Sequence, residues 1–274
     1  MEKKKLKTTI VVLIVLMVVS AVLSILIPGH PRAETISEMM KDAVLHESGK
    51  VSLFGIINVN PALISAYTVT AMILVVAALL RILVIPKFSY IPGKMQIALE
   101  TAVGMFDGMA RTNSPHRNKA LGGYIFAAGT YIFIGTLFEL LGLQAVNIHG
   151  HSVSLGAPLA DINGAISMGV TSYLFILTGG LTNGLRGVGN TLKEFSLPIS
   201  MSFRLFGALL SGALVTELVY YYTGLSFVLP VIVGVLFTLL HAVIQTYVLA
   251  TLVSIFYGEA VEPPKPKEKK NKTK

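Results

Sequence analysis

Runs of twenty or more residues with almost no charge recur along this sequence, and they limit the possible folds more than any other feature. They are Thr8 to Ile27, Pro61 to Ile85, Ala120 to Leu143, Gly164 to Leu185, Ile199 to Tyr222 and Leu225 to Tyr257. Roughly 20 apolar residues are enough for a helix to cross the hydrocarbon core of a bilayer. Backbone groups find no water there, so such segments must close their hydrogen bonds internally, as helices. The expected fold class is therefore an all-α integral membrane protein with about six apolar helices, the first being an extra N-terminal span. Composition agrees, with 53% hydrophobic and only 13% charged residues among 274. The net charge of +8 does not point to nucleic acid. The lysines and arginines crowd at the termini and between apolar runs, without interleaved aromatics, which is the pattern of membrane topology signals. With no cysteine, disulfides, thiol catalysis and cysteine-bound metals are excluded.

Read in order, residues 1–27 form an N-terminal anchor or uncleaved signal. Lys3, Lys4, Lys5 and Lys7 precede an apolar run too long for a usual signal core, with no clean small-x-small cleavage site. Residues 28–60, with Pro28, Gly29 and Pro31, read as an external segment, and 61–258 as the membrane domain. Between Pro86 and Lys119 the chain turns amphipathic. Met95, Leu99, Ala102, Val103 and Phe106 recur at helical spacing, which predicts a helix lying at the interface or packed on a partner there. Gln144 to Asn163 reads as a short external loop, and a Gly-rich connection with Arg186 and Lys193 follows the fourth run. The last run exceeds thirty residues and must tilt or begin along the interface. Residues 259–274 are expected to be a disordered basic tail. With six spans and a cytoplasmic N-terminus, eighteen of the 22 lysines and arginines fall on the cytoplasmic side, so both termini are expected there.

Few ionisable or strongly polar groups lie at membrane depth: Arg204, Glu217, Glu139, His241 and Gln245, with Asp161 in the loop above. Arg204 is the most demanding. A guanidinium does not lose its proton in a protein, and at bilayer depth it costs at least ~2.5 kcal/mol. It needs a carboxylate, water or an ion as partner, unless it sits near the helix end and snorkels to the interface. Ala208, Ser211, Gly212 and Val215 share its side of the helix, a stripe of small residues that admits another helix closely. His241 and Gln245 are one turn apart on one face. Glu217 lies thirteen residues beyond Arg204 and points away from the stripe, as a second polar site nearer the surface would. These acids and His241 either form an ion path or hydrogen-bond other helices. His149 and His151 lack a third ligand for a metal, and Gly184, Gly187 and Gly189 follow no strand, so neither a metal nor a dinucleotide is expected. No cofactor is implied.

Over roughly residues 55 to 260 the sequence resembles subunit a of the membrane sector of F-type ATP synthases. PISMSFRLFGALLSG (198–212) is similar to the family's arginine-leucine-phenylalanine-glycine core, and HAVIQTYVLATLVSIFYGEA (241–260) to its last helix. IPGKMQIALETAVG and PLADINGAISM are weaker echoes. The resemblance implies that Arg204 is the stator arginine, that its stripe and two long tilted C-terminal helices face the ring of c subunits, and that Gln245 packs beside Arg204. It implies the c-ring, the peripheral-stalk b subunits and other ATP synthase subunits as partners, and the plasma membrane of a bacterium as location. It also implies a non-catalytic subunit whose two offset half-channels carry protons or Na+ to and from ring carboxylates. The chain departs from the family pattern at Ala208, Ala213, Thr238 and Glu139 (in ELLGLQA), which makes Glu217 and His241 the expected replacements in the outer half-channel. A self-contained cation transporter or channel is the rival reading, although no intramembrane acid clearly faces Arg204.

Overall fold

The computed structural model describes residues 50–53, 57–146, 152–221 and 229–262, with isolated positions between 11 and 37. The side chains of Arg186, Ala213, Glu217, Tyr220, Tyr221 and 229–231 lie outside the described set. A small antiparallel hairpin, β1 (Val51–Leu53) and β2 (Ile57–Val59), leads into α1 (Pro61–Leu79). Asn60 caps α1, its side chain accepting from the Ala62 amide at 2.9 Å, and Pro61 supplies a helical φ where no donor is needed. Pro86 lacks the amide that would continue the helix, and the last turns loosen into a π turn (Leu80–Val84) and a 3₁₀ turn (Ile85–Lys87). Next come α2 (Lys94–Asn113) and α3 (Asn118–Leu137), then a 3₁₀ turn over Phe138–Leu141 that ends at Gly142 with φ of 60°. A second hairpin pairs β3 (Gln144–Val146) with β4 (Ser152–Ser154). The chain finishes with α4 (Ile162–Leu181), α5 (Gly184–Lys193), α6 (Ser196–Tyr221) and α7 (Leu229–Val261).

Five helical segments among the described residues are long and apolar enough to cross a membrane: Pro61–Lys87, Asn118–Leu141, Ile162–Leu181, Ser196–Thr216 and Ile232–Val261. Most of the expected first span, Thr8 to Ile27, lies outside the described residues, as do most of the tail and both His149 and His151. The main core runs through α3, α4, α6 and α7, with Leu121, Ile125, Ile132, Ile176, Leu205 and Val253 at its centre. The rings of Tyr124, Phe175 and Tyr257 stack in series at 4.1 and 4.9 Å, joining α3, α4 and α7. Helix α1 stands at the margin. Only 6% of its most apolar window is buried, and along the helix only Pro61, Ser65 and Val69 are buried, with Val69 meeting Phe138 and Leu155.

The structure changes three expectations and adds detail to a fourth. Two hairpins occupy segments read as irregular, so the chain is helical with two small patches of sheet. The amphipathic helix exists, but only the C-terminal part of its apolar stripe is covered within the chain. Phe106 and Ala110 are buried, whereas Met95 is 61% exposed. Its far end is pinned to α7. Asn113 donates to Ser254 Oγ at 3.0 Å, Ser254 donates to the Met109 carbonyl at 3.1 Å, and Gly258 lies against the Asn113 carbonyl. The last helix continues to Val261, into the stretch read as tail. The Gly-rich connection forms a helix of its own, α5. Gly184, at φ 68°, turns the chain between α4 and α5, a conformation that costs other residues about 1–2 kcal/mol.

Candidate functional site

Helix α5 sets where the arginine's helix begins. It doubles back along α4: Gly187 packs on the Gly180 carbonyl with no room for a Cβ, and Tyr173 donates its hydroxyl proton to the Thr191 carbonyl at 3.1 Å. Helix α6 consequently begins part-way along α4 instead of at its end. Gly169 admits it closely, since a Cβ there would lie 2.8 Å from the Pro198 carbonyl and collide with Ser202. At the start of α6, Leu197 shares a cavity wall with Phe256 and Ala260 of α7, and further along Gly212 faces His241. The two helices are therefore antiparallel. Continuing that register puts Arg204 level with about Leu249, ~18 Å short of the end of α7 at Val261. An arginine side chain does not span that distance.

Arg204 is exposed on the bundle surface, and among the described residues no carboxylate bonds it. Met201, Leu205 and Leu209 take the buried face of the same helix. The stripe beside Arg204 divides. Ser211 is exposed and Ala208 and Val215 are half covered, while Gly212 turns toward α7, where a Cβ would lie 3.1 Å from His241 Nδ1. His241 is half-buried between Gly212 and Phe237, whose ring centroid is 5.8 Å away. Gln245 is only 5% exposed, and its Oε1 has no hydrogen-bond partner. By the same register it is level with about Ala208, one turn (~6 Å) from Arg204 along the axis. The backbone of Glu217 lies in the last turns of α6, and its side chain is among those not described. Glu139 is half-buried in the 3₁₀ turn after α3.

Two cavities open toward opposite ends of the bundle. One, of about 600 Å³, lies between α1, α3 and α4, with Asn60 and Asp161 at its mouth and Thr70, Tyr131, Ser167 and Thr171 along its walls. The other, of about 230 Å³, lies where α4, α5, α6 and α7 meet and is lined by Asn183, Asn190, Glu194, Glu259 and Glu262. Sequence reasoning singled out Asp161 but not the other polar wall residues, because a lone Ser, Thr or Asn in an apolar helix has no spacing that marks it. Asn60 did carry a readable signal, an Asn-Pro pair at the start of an apolar run. Asp161 has a definite structural role. It caps α4, accepting from the Asn163 and Gly164 amides at 2.9 and 3.4 Å, and takes a third bond from Asn60 Nδ2 at 2.7 Å.

A family model described as ATP synthase A chain matches residues 65–258, a span that holds all five candidate membrane helices apart from the first turn of α1 and the last of α7. It also contains Arg204, Gln245, His241 and both glutamates on the expected path. With its apolar helices, this multi-pass membrane protein belongs to the ATP synthase A chain family, subunit a of the F-type enzyme, an ion-translocating component that is not itself catalytic.

Proposed function

We propose that this subunit forms the stator side of the ion path, with two offset half-channels exchanging protons or Na+ with the carboxylates of a c-ring, and with Arg204 between them. The observation that carries this reading is the position of Arg204. It is uncovered, without a carboxylate partner among the described residues, and ~18 Å along α7 from that helix's C-terminal end, while cavities approach from opposite ends. A rotor carboxylate cannot cross lipid charged, so it travels protonated or ion-bound. Beside a fixed guanidinium the ionised form is favoured and the ion is released. The same positive charge bars direct passage between half-channels. Transmembrane voltage supplies about 2.3 kcal/mol per charge per 100 mV to bias the rotation.

In this reading Ser211, Ala208 and Val215 line the ring-facing side and Gln245 supports Arg204 from α7. Glu217 and His241, with Glu139 and Asp161, serve the outer half-channel. The end bearing Asn60 and Asp161 faces outward and both termini face the cytoplasm, in a bacterial plasma membrane, with b subunits on the peripheral side. In the assembled complex, Arg204→Ala is expected to lower ion-driven ATP synthesis about 100-fold, equivalent to ~2.7 kcal/mol of lost charge stabilisation. Arg204→Lys should not restore it, because lysine can deprotonate and lacks the planar fork. Glu217→Gln and His241→Ala should each reduce synthesis in the same assay. Undiminished synthesis in Arg204→Ala would refute the proposal.

A further inference from the structure

The mouth of the larger cavity carries an arrangement that nothing in the ion-path reading requires. Asn60 is the N-cap of α1 and Asp161 is the N-cap of α4, and the two caps are bonded to each other. Each side chain does both jobs at once. Asn60 Oδ1 accepts from the Ala62 amide while its Nδ2 donates to Asp161 Oδ2 at 2.7 Å. Asp161 Oδ1 meanwhile accepts from the Asn163 and Gly164 amides. The assignment of donors and acceptors is thus complete: the amide nitrogen faces a carboxylate oxygen, and both remaining oxygens are committed to helix ends. Asp161 is only partly exposed, and its negative charge sits at the positive end of α4.

The place of this bond matters because α1 has little else to hold it. Its apolar window is almost entirely uncovered, and its contacts with the bundle are concentrated at Ser65, Val69 and the residues around them. Ala62, Leu63, Ala66 and Thr70 of α1 nonetheless form one whole wall of the cavity, opposite Gly164, Ser167 and Thr171 of α4. The width of that cavity is therefore the spacing between two helices whose first residues are tied together.

Resting on the ion-path reading above, we infer that Asn60 and Asp161 form a clasp that sets the width of the outer inlet. They are positioning residues, and Asp161 acts through its geometry and not as a relay for the ion. In Asp161→Asn the α4 cap survives, since Asn caps as well as Asp, but a second amide nitrogen now faces Asn60 Nδ2. In Asn60→Asp two carboxylate oxygens face one another. In the chain carrying both changes donor and acceptor trade places, and every bond is restored.

The test uses the whole complex in native membranes, with Ala66→Cys as a reporter on the cavity wall of a chain that has no cysteine of its own. Each single variant is expected to raise labelling of the reporter by a membrane-impermeant maleimide from the outer face about tenfold, and to lower ion-driven ATP synthesis by about as much. The double exchange should return both to within about twofold of the parent, a recovery that loss of an ion-relaying carboxylate at residue 161 would not show. If a single variant fails to assemble, assembly of the double exchange supports the clasp and its failure overturns it. Unchanged labelling in the single variants, or single variants impaired and no better in combination, also overturns it. Arg204→Ala is measured alongside. If that variant still synthesises ATP, the ion-path reading is what fails, and labelling alone then judges the clasp.

Discussion

The contact between Gly212 and His241 shows how one missing side chain sets a helix register. A Cβ at 212 would stand 3.1 Å from Nδ1 and 3.3 Å from Cε1 of the imidazole, so the ring would have to give way by a few tenths of an ångström to admit any larger residue. Gly212→Val should therefore destabilise the α6–α7 pair by about 1–3 kcal/mol, as overpacking does. His241→Ala in the same chain should relieve at least ~1 kcal/mol of that, since the two changes share one space. Thermal dissociation of the detergent-solubilised complex, read for the parent, both single variants and the double, measures the coupling. Strict additivity would show that the ring and the glycine do not meet. At this scale the sequence was legible for Arg204, whose charge is conspicuous in apolar surroundings. It was not legible for Gly212, which helical spacing alone assigned to the arginine stripe. Angular position on one helix says which residues are neighbours, not which partner helix each neighbour meets.

Among the elements, α5 departs most from its sequence reading and has the largest consequence. Three glycines in ten residues read as a flexible connection, because glycine weakens a helix by about 1 kcal/mol relative to alanine. Packing overrides that cost at one of the three, since Gly187 lets α5 approach α4 backbone to backbone at Gly180. Gly187→Val would drive a side chain into the Gly180 carbonyl and the Asn183 Cβ, the latter 2.6 Å away. The expected result is faster amide exchange over 184–193 and an approximately tenfold fall in ion-driven synthesis with Arg204 intact. Normal exchange and normal synthesis in that variant would remove α5 from any role in placing α6. Helix α2 forms where its periodicity placed it. Its periodicity was legible in full, but only Phe106 and Ala110 are covered within the chain, because a stripe in sequence does not say how much of it a partner element reaches.

For the whole molecule, the two cavities lie at opposite ends of the bundle, one bounded by α1 and α3 and the other by α5, α6 and α7, with α4 common to both. The orientation proposed above, drawn from the charge asymmetry, puts the Lys87 end in the cytoplasm and the Asn163 end outside. In a chain without cysteine this is directly measurable. Lys87→Cys should react with an impermeant maleimide only in inside-out vesicles, and Asn163→Cys only in right-side-out ones. The reverse pattern would invert the topology and exchange the two half-channels.

The sequence by itself determined that the chain is a bundle of apolar helices long enough to cross a membrane, approximately where the five described ones begin and end, and that one arginine among them needs an explanation. These follow from hydropathy, run length and the cost of a buried charge, which are properties of local sequence. Only the tertiary structure decided that Arg204, a few residues into its helix, stands well away from the bundle's end, because α5 folds back and raises the start of α6. Only it brought Asn60 to Asp161, a hundred residues apart in sequence, over a common cavity. Depth and juxtaposition depend on how helices pack, and close packing is settled by pairs of surfaces that no single stretch of sequence contains.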